Sequence, residues 1–387
     1  MSWKHTNPME QKIAFIKQIA VQRGGFAALC RQFGISRKTG YKWRRRYLEE
    51  GTIASLRERS RRPHHSPRRV NEGLVQRILE LRVPDGWGAR KIAHLLWEEG
   101  FEVSIATVHR TLLRQQKVHR LDQHTPASQR FERAAPNDLL QVDFKGPMGV
   151  GQAVDEPLSV LDDHSRFALG LFAMHDHSLE RVQEALITVF RRWGCPRQML
   201  FDHGTPWWST SNGWGLSRLA VFLMERDIEL IFGRVAHPQT QGKVERFHRT
   251  LGRSMVRQGL PTQWEQWQGR YDSFVERYNH QRPHEALGMQ RPAERYRPSE
   301  QCYPEQVTPW HYPAELEVKR VDANGMIRVE GRRCFVCEAL IGHQVAIEQI
   351  GQQVLVRFRH MYVREINLKQ GGTHSFVQPI RSLDERQ

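Results

Sequence analysis

Leu139-Leu140-Gln141-Val142-Asp143-Phe144 is an apolar run interrupted by one amide and one acid, which predicts a buried strand carrying a single carboxylate. Working outward, residues 158–161 predict a second strand, Asp162-Asp163-His164-Ser165 a turn, and residues 167–174 a third strand. Ser178 is placed to cap a helix whose apolar face is Val182, Ala185, Leu186, Val189 and Phe190. Residues 198–201 read as a fourth strand with Asp202 at its end, residues 216–225 as a helix, and residues 229–232 as a short fifth strand. Residues 241–257 then form a helix with Val244, Phe247, Leu251 and Met255 on one face and Glu245 in its first turn.

Short apolar strands alternating with amphipathic helices are an α/β signature. Three strands, a helix, a strand, a helix, a strand and a helix is the order of the ribonuclease H-like fold. In that order the first and fourth strands are neighbours, so Asp143 and Asp202, 59 residues apart, are expected to meet. The last helix is expected to bring Glu245, a further 43 residues on, to the same place. Three convergent carboxylates repel one another unless cations neutralise them. An all-oxygen ligand set suits Mg²⁺, with Mn²⁺ able to substitute. Two such ions per site can activate an attacking water or 3′-hydroxyl and stabilise the leaving oxygen. Asp162 and Asp163 fall where a turn is expected and are read as turn or capping groups. His203, His237 and His248 flank the acids and are read as structural or phosphate-contacting groups.

The motifs Gln141-Val142-Asp143-Phe144, Asp162-Asp163-His164-Ser165-Arg166, Asp202-His203-Gly204 and His237-Pro238-Gln239-Thr240-Gln241-Gly242-Lys243-Val244-Glu245-Arg246 resemble the integrase core of bacterial insertion-sequence DDE transposases. Tyr278-Asn279-His280-Gln281-Arg282-Pro283-His284 extends the match, which covers about residues 10–300 with the order of elements intact. The resemblance implies Asp143, Asp202 and Glu245 as the catalytic and metal-binding triad. It also implies cut-and-join chemistry at the terminal inverted repeats of a mobile element, with assembly as a homo-oligomer on double-stranded DNA, both element ends and target. One departure is the long gap between Asp202 and Glu245, which holds a polar aromatic loop with Trp207, Trp208 and Trp214. Those rings either stack on an unpaired base or pack on themselves.

The net charge of +16 also points to a polyanion. Residues 1–70 hold 17 Lys/Arg against 4 Glu, a net +13, so the basic surface is concentrated there. Helices over 8–22 and 26–33, the second ending at Gly34, a turn at Ile35-Ser36 and a basic helix over 37–47 capped by Ser36 form a helix-turn-helix pattern. Arg37, Lys38, Lys42, Arg44, Arg45 and Arg46 on that last helix are the expected DNA contacts. Arg61 and Arg62 in a Pro/Arg-rich linker are added to them. A second helix-turn-helix is expected over 71–117, with Arg110 on its last helix. Lys243 and Arg246, which flank Glu245, are read as phosphate contacts. The expected organisation is 1–56 helix-turn-helix, 57–70 basic linker, 71–117 second helix-turn-helix, 118–136 linker, 137–298 α/β ribonuclease H-like core, 310–368 small β-barrel and 369–387 disordered tail.

The five cysteines are scattered, which suits a reducing compartment. The lone pair Cys334 and Cys337 lacks companions for a zinc set and reads as two small strand residues. No apolar run reaches 18 residues and the first residues are polar, so neither a membrane span nor a secretory signal is expected, and the chain is placed in the cytoplasm with the bacterial nucleoid. Two other readings compete: a catalytically silent DNA-binding regulator derived from a transposase, and a structure-specific nuclease. The presence of all three acids argues against the first, and two helix-turn-helix units against the second.

Overall fold

A computed structural model describes residues 8–21, 25–59, 70–118, 132–209, 215–233 and 242–380. Arg61, Arg62, His237, Trp214 and most of both linkers lie outside the described residues. The chain divides into two compact units, Met1–Val70 and Asn71–Gln387.

In the first unit, α1 (Pro8–Val21), α2 (Phe26–Gln32) and α3 (Arg37–Glu50) enclose Phe15, Leu29, Cys30, Ile35 and Trp43. Gly34 turns the chain between α2 and α3 at φ +65°, a conformation a Cβ disfavours. Ser36 then caps α3, its Oγ accepting from the Thr39 N–H at 3.1 Å. Lys12 is buried yet satisfied. Its Nζ lies 3.7 Å over the Trp43 ring and donates to the Leu56 carbonyl and to Glu58.

The second unit begins with α4 (Glu72–Arg82), α5 (Ala89–Glu98) and α6 (Ile105–Arg114), closed around Ile78, Ile92, Leu96, Val108 and Leu112. Ser104 caps α6 by accepting from the Thr107 N–H, so both helix-turn-helix units start their last helix with the same Ser-x-x-Thr device. There follow β1 (Leu140–Phe144), β2 (Leu158–Asp162), β3 (Ala168–Phe172), α7 (Leu179–Trp193), β4 (Gln198–Phe201), β5 (Trp208–Ser209), β6 (Gly215–Leu216), α8 (Arg218–Met224), β7 (Glu229–Phe232), α9 (Gly242–Gln258), α10 (Gln266–His280) and α11 (Pro292–Arg295). The main sheet has the order β3-β2-β1-β4-β7, antiparallel from β3 to β1 and parallel from β1 to β7.

The two-residue period of a strand divides this sheet between its faces. Leu140, Val142, Leu158 and Val160 join α7 and α8 in one core. Leu161, Ala168 and Leu171 join Val244, Phe247, Leu251 and Met255 of α9 and Trp267, Tyr271, Phe274 and Tyr278 of α10 in another. Burial of these apolar side chains is worth roughly 1.5–3 kcal/mol each. Asn279, in the Tyr-Asn-His motif, fastens α10 to the edge strand: its side chain accepts from the Ala168 N–H and donates to the Ala168 carbonyl, both at 2.9 Å. The α4–α6 layer is docked on α9 and α10 through Asp85, which accepts from Ser254 Oγ at 2.9 Å and pairs with Arg277 at 3.3 Å.

The C-terminal part is not a closed barrel. β8 (Glu317–Arg320), β11 (Gln344–Ile350), β12 (Gln353–Phe358), β13 (Met361–Asn367) and β14 (Thr373–Pro379) form an open antiparallel sheet, while β9 (Met326–Val329) and β10 (Arg332–Phe335) form a separate ribbon. Closure fails because β14 lies against β6 and β7 of the core instead of pairing with β8. The stretch read as a disordered tail supplies that strand, through residue 379. Val345, Val354 and Val356 share one apolar core with α7 and α8.

A Cβ at Gly40 in α3 would stand 2.6 Å from Cys30 Sγ and 3.1 Å from the rings of Phe15 and Phe26. Gly40→Ala therefore sets a helix-propensity gain of about 1 kcal/mol against an overpacking cost of roughly 1–3 kcal/mol. We expect it to lower the melting temperature of the first unit in calorimetry, and Cys30→Ala in the same chain to recover part of the loss. A stabilised single variant would contradict this packing.

Candidate active site

Parallel pairing of β1 with β4 sets Leu140 opposite Met199 and Gln141 opposite Leu200. Two residues further in that register, Asp143, still within β1, falls beside Asp202, the residue just past the end of β4. Because successive side chains alternate, Gln141 and Asp143 share the face opposite Leu140 and Val142, the face that α9 covers. Glu245 stands in the first turn of α9, exposed, with Val244 and His248 buried beside it. The Asp143 carboxyl is pushed up to about 7, first by burial and then by the neighbouring Asp202 and Glu245 carboxylates, against a hydrogen bond from the Phe144 N–H. Asp202 is exposed and is held by the Gly204 N–H at 3.0 Å. A Cβ at Gly204 would press to 3.1 Å on both Asp202 oxygens, so a side chain there would displace the carboxylate. Among the described residues no three His, Cys, Asp or Glu side chains converge tightly enough to grip an ion by themselves.

His248 lies 3.8 Å from Asp143, but burial and Lys145 push its pKa down to about 3, so the contact joins a neutral ring to the acid and is no ion pair. Its Nε2 is 2.9 Å from Ser159 Oγ, on the strand residue paired with Asp143. His203 packs edge-on against Trp208. Asp162 is a capping group, accepting from Asn137 N, Ser165 N and Ser165 Oγ. Asp163 is fully buried and accepts from Arg133 N at 2.8 Å and Gln141 Nε2 at 2.8 Å.

Lys243 is turned inward. Its Nζ is 2.5 Å from Asp163 Oδ2 and 3.0 Å from the Asp163 carbonyl, so in the protein without DNA it is engaged with that residue. Burial lowers its pKa to about 8, with Asp163 opposing the shift. Arg246 is exposed beside Glu245. Lys145, two residues past Asp143, is a partly buried cation close enough to His248 to lower its pKa, and pattern reading passed over it; only its closeness to Asp143 in sequence could have flagged it. On α3, Arg37, Lys38, Lys42, Arg44 and Arg45 are exposed, while Arg46 is partly covered, its guanidinium 5.0 Å from the buried Trp43 ring. Lys42 is 3.8 Å from Glu58. Arg110 is exposed on α6 and folds back to the Ala106 carbonyl and Thr107 Oγ1. Trp207 is stacked on Phe201 and Trp208 packs edge-on against Phe232, both buried, so these two rings take the self-packed reading. Cys337 Sγ meets the Leu216 carbonyl and Cys334 sits in the β9–β10 ribbon, both as buried core thiols.

Residues 11–64 match the helix-turn-helix domain family, residues 39–112 the homeodomain-like domain family and residues 226–292 the integrase core domain family. The chain is 22% identical over 286 residues to the transposase for transposon Tn552 of Staphylococcus aureus. That match takes in 64% of this chain and 56% of the relative, so the chain spans little more than half of the protein it matches. Among solved structures, a simian T-cell lymphotropic virus intasome in complex with PP2A regulatory subunit B56 gamma is similar at 12% identity and TM-score 0.39, over 78% of this chain and 99% of that one. The HTLV-2 integrase catalytic core domain in complex with magnesium is similar at 13% identity and TM-score 0.32, over 42% and 97%. No helix among the described residues is long and apolar enough to cross a membrane.

A carboxyl whose pKa is raised by folding stabilises the fold at low pH, and that contribution is lost as pH rises from about 4 through about 7. Above 7 the metal-free fold carries the ionised Asp143 at a cost. Asp143→Asn is expected to raise the melting temperature in EDTA at pH 8 by roughly 2–6 °C and to change it little at pH 4. No gain at pH 8 would show that the acids do not strain one another.

Proposed function

We propose that this chain is a transposase built on an integrase core, which binds the terminal inverted repeats of an insertion sequence and catalyses divalent-metal-dependent strand cleavage and strand transfer. The single observation that carries this reading is geometric: the parallel register sets Asp143 of β1 beside Asp202 after β4, and Glu245 stands in the first turn of the helix tied to that face of β1. An acid raised by burial and by two nearby like charges is a site suited to a multivalent cation. The donors are oxygen only, which fits Mg²⁺, and Asp143, Asp202 and Glu245 are the residues that would hold it. When bound, the metal supplies Lewis-acid activation of the attacking oxygen and charge stabilisation on the phosphate. The chain's own residues do the rest. Asp143 must lose its proton to act as a ligand, and Gly204 N–H fixes the Asp202 carboxylate for the same task. Neutral His248, held by Ser159, fills the space beside Asp143 without competing for it as a cation.

The exposed cations of α3 and Arg110 of α6 give the two helix-turn-helix units their DNA surfaces. Phosphate contacts from these side chains supply affinity, and contacts to base edges supply the address. A homo-oligomer on paired ends is part of this proposal.

The test uses labelled DNA ending in the element's own repeats, with Mg²⁺ or EDTA. Joined products are expected with Mg²⁺ only. They should fall below detection in Asp143→Asn, Asp202→Asn and Glu245→Gln while end binding stays within about twofold of wild type. Tight specific binding with no cleavage under any divalent metal would make the protein a DNA-binding regulator instead.

A further inference from the structure

The helix carrying Glu245 is tied to the strand carrying Asp143 by a buried bridge of other side chains. Gln141 lies on β1 two residues before Asp143, on the same face, and is almost wholly buried. Its amide works in two directions. Nε2 donates to Asp163 Oδ1 at 2.8 Å, and Oε1 accepts from the Val244 N–H at 3.2 Å. Helix α9 begins at Gly242, so the Val244 N–H is among the first-turn amides with no acceptor inside the helix. Gln141 therefore caps α9 from across the sheet. Asp163 grips the preceding residue, Lys243, by carboxylate and carbonyl. Two consecutive residues, Lys243 and Val244, are thus fixed to β1 and to the turn after β2, and the next residue is Glu245.

We propose that Gln141, Asp163 and Lys243 are positioning residues that set the first turn of α9, and with it Glu245, against Asp143 before any metal or DNA binds. The proposal rests on the triad reading for its catalytic consequence, but the latch is a property of the metal-free protein. Its chemistry is suited to the task. A buried amide between a carboxylate and a helix N-terminus has a fixed orientation, because only one end can donate and only the other can accept. A buried charge pair with further hydrogen bonds on both members favours one arrangement over alternatives, and an error of about 1 Å in a catalytic group can reduce turnover by about 100-fold.

The full-length protein in EDTA, followed by amide hydrogen exchange, provides the direct test. In Gln141→Met the amides of residues 243–246 should exchange about tenfold faster or more, while those of 251–255 keep the wild-type rate. With Mg²⁺ and element ends, the same variant should lose kcat by about 10- to 100-fold with KM for DNA nearly unchanged, and need more Mg²⁺ for half-maximal rate. Lys243→Arg should retain most of both properties and Lys243→Met lose both, a comparison that stands even where Gln141→Met fails to fold. Exchange in 243–246 that is unaltered in both Gln141→Met and Lys243→Met, or that rises equally along all of α9, would overturn the latch. If wild-type protein joins no DNA, the exchange data still decide for or against the latch, and the failure belongs to the proposed function.

Discussion

Placing like charges at the end of a sheet requires structure strong enough to oppose their repulsion. Here that structure is the parallel pairing of β1 with β4. It brings two acids to neighbouring positions, and burial together with the nearby Asp202 carboxylate raises the Asp143 carboxyl. Everything around the pair is consistent with holding them. Leu140 and Val142 anchor β1 from one face, Gln141 ties α9 to the other, and the Gly204 N–H fixes Asp202. Remove the β1–β4 register and neither the acids nor the helix that brings the third would have a reason to meet.

The helical layer α4–α6 shares this logic. Asp85 is fastened to Ser254 and Arg277, and Lys91 pairs with Glu285 at 2.8 Å. The contacts reach α9, the helix of Glu245, so α4–α6 are built onto the same unit as the acids.

Much of this was legible in the sequence, for local reasons. The strands and helices from residue 139 to 258 announce themselves by their two- and 3.6-residue apolar periods, and the acids stand at ends of elements. What was hidden depends on distant partners. Lys243 flanks Glu245 on a helix and reads as a solvent-facing cation; only the buried Asp163, 80 residues earlier, turns it inward. Thr373–Pro379 reads as a polar tail because an edge strand needs few apolar residues, and its place beside β13 comes from tertiary contact. The same contact, against β6 and β7, is what opens the expected barrel. Trp207 and Trp208 look available for stacking on a base until Phe201 and Phe232 are seen to cover them.

The central claim is that Asp143, Asp202 and Glu245 form one cation site. Calorimetric titration of the protein with Mg²⁺, in buffers of different ionisation enthalpy near pH 6.5, tests it most directly. Binding should release protons, because Asp143 gives one up, and the heat should be lost or greatly reduced when any one of the three acids is replaced by its amide. Mg²⁺ binding that survives all three substitutions, or that releases no protons, would contradict the account.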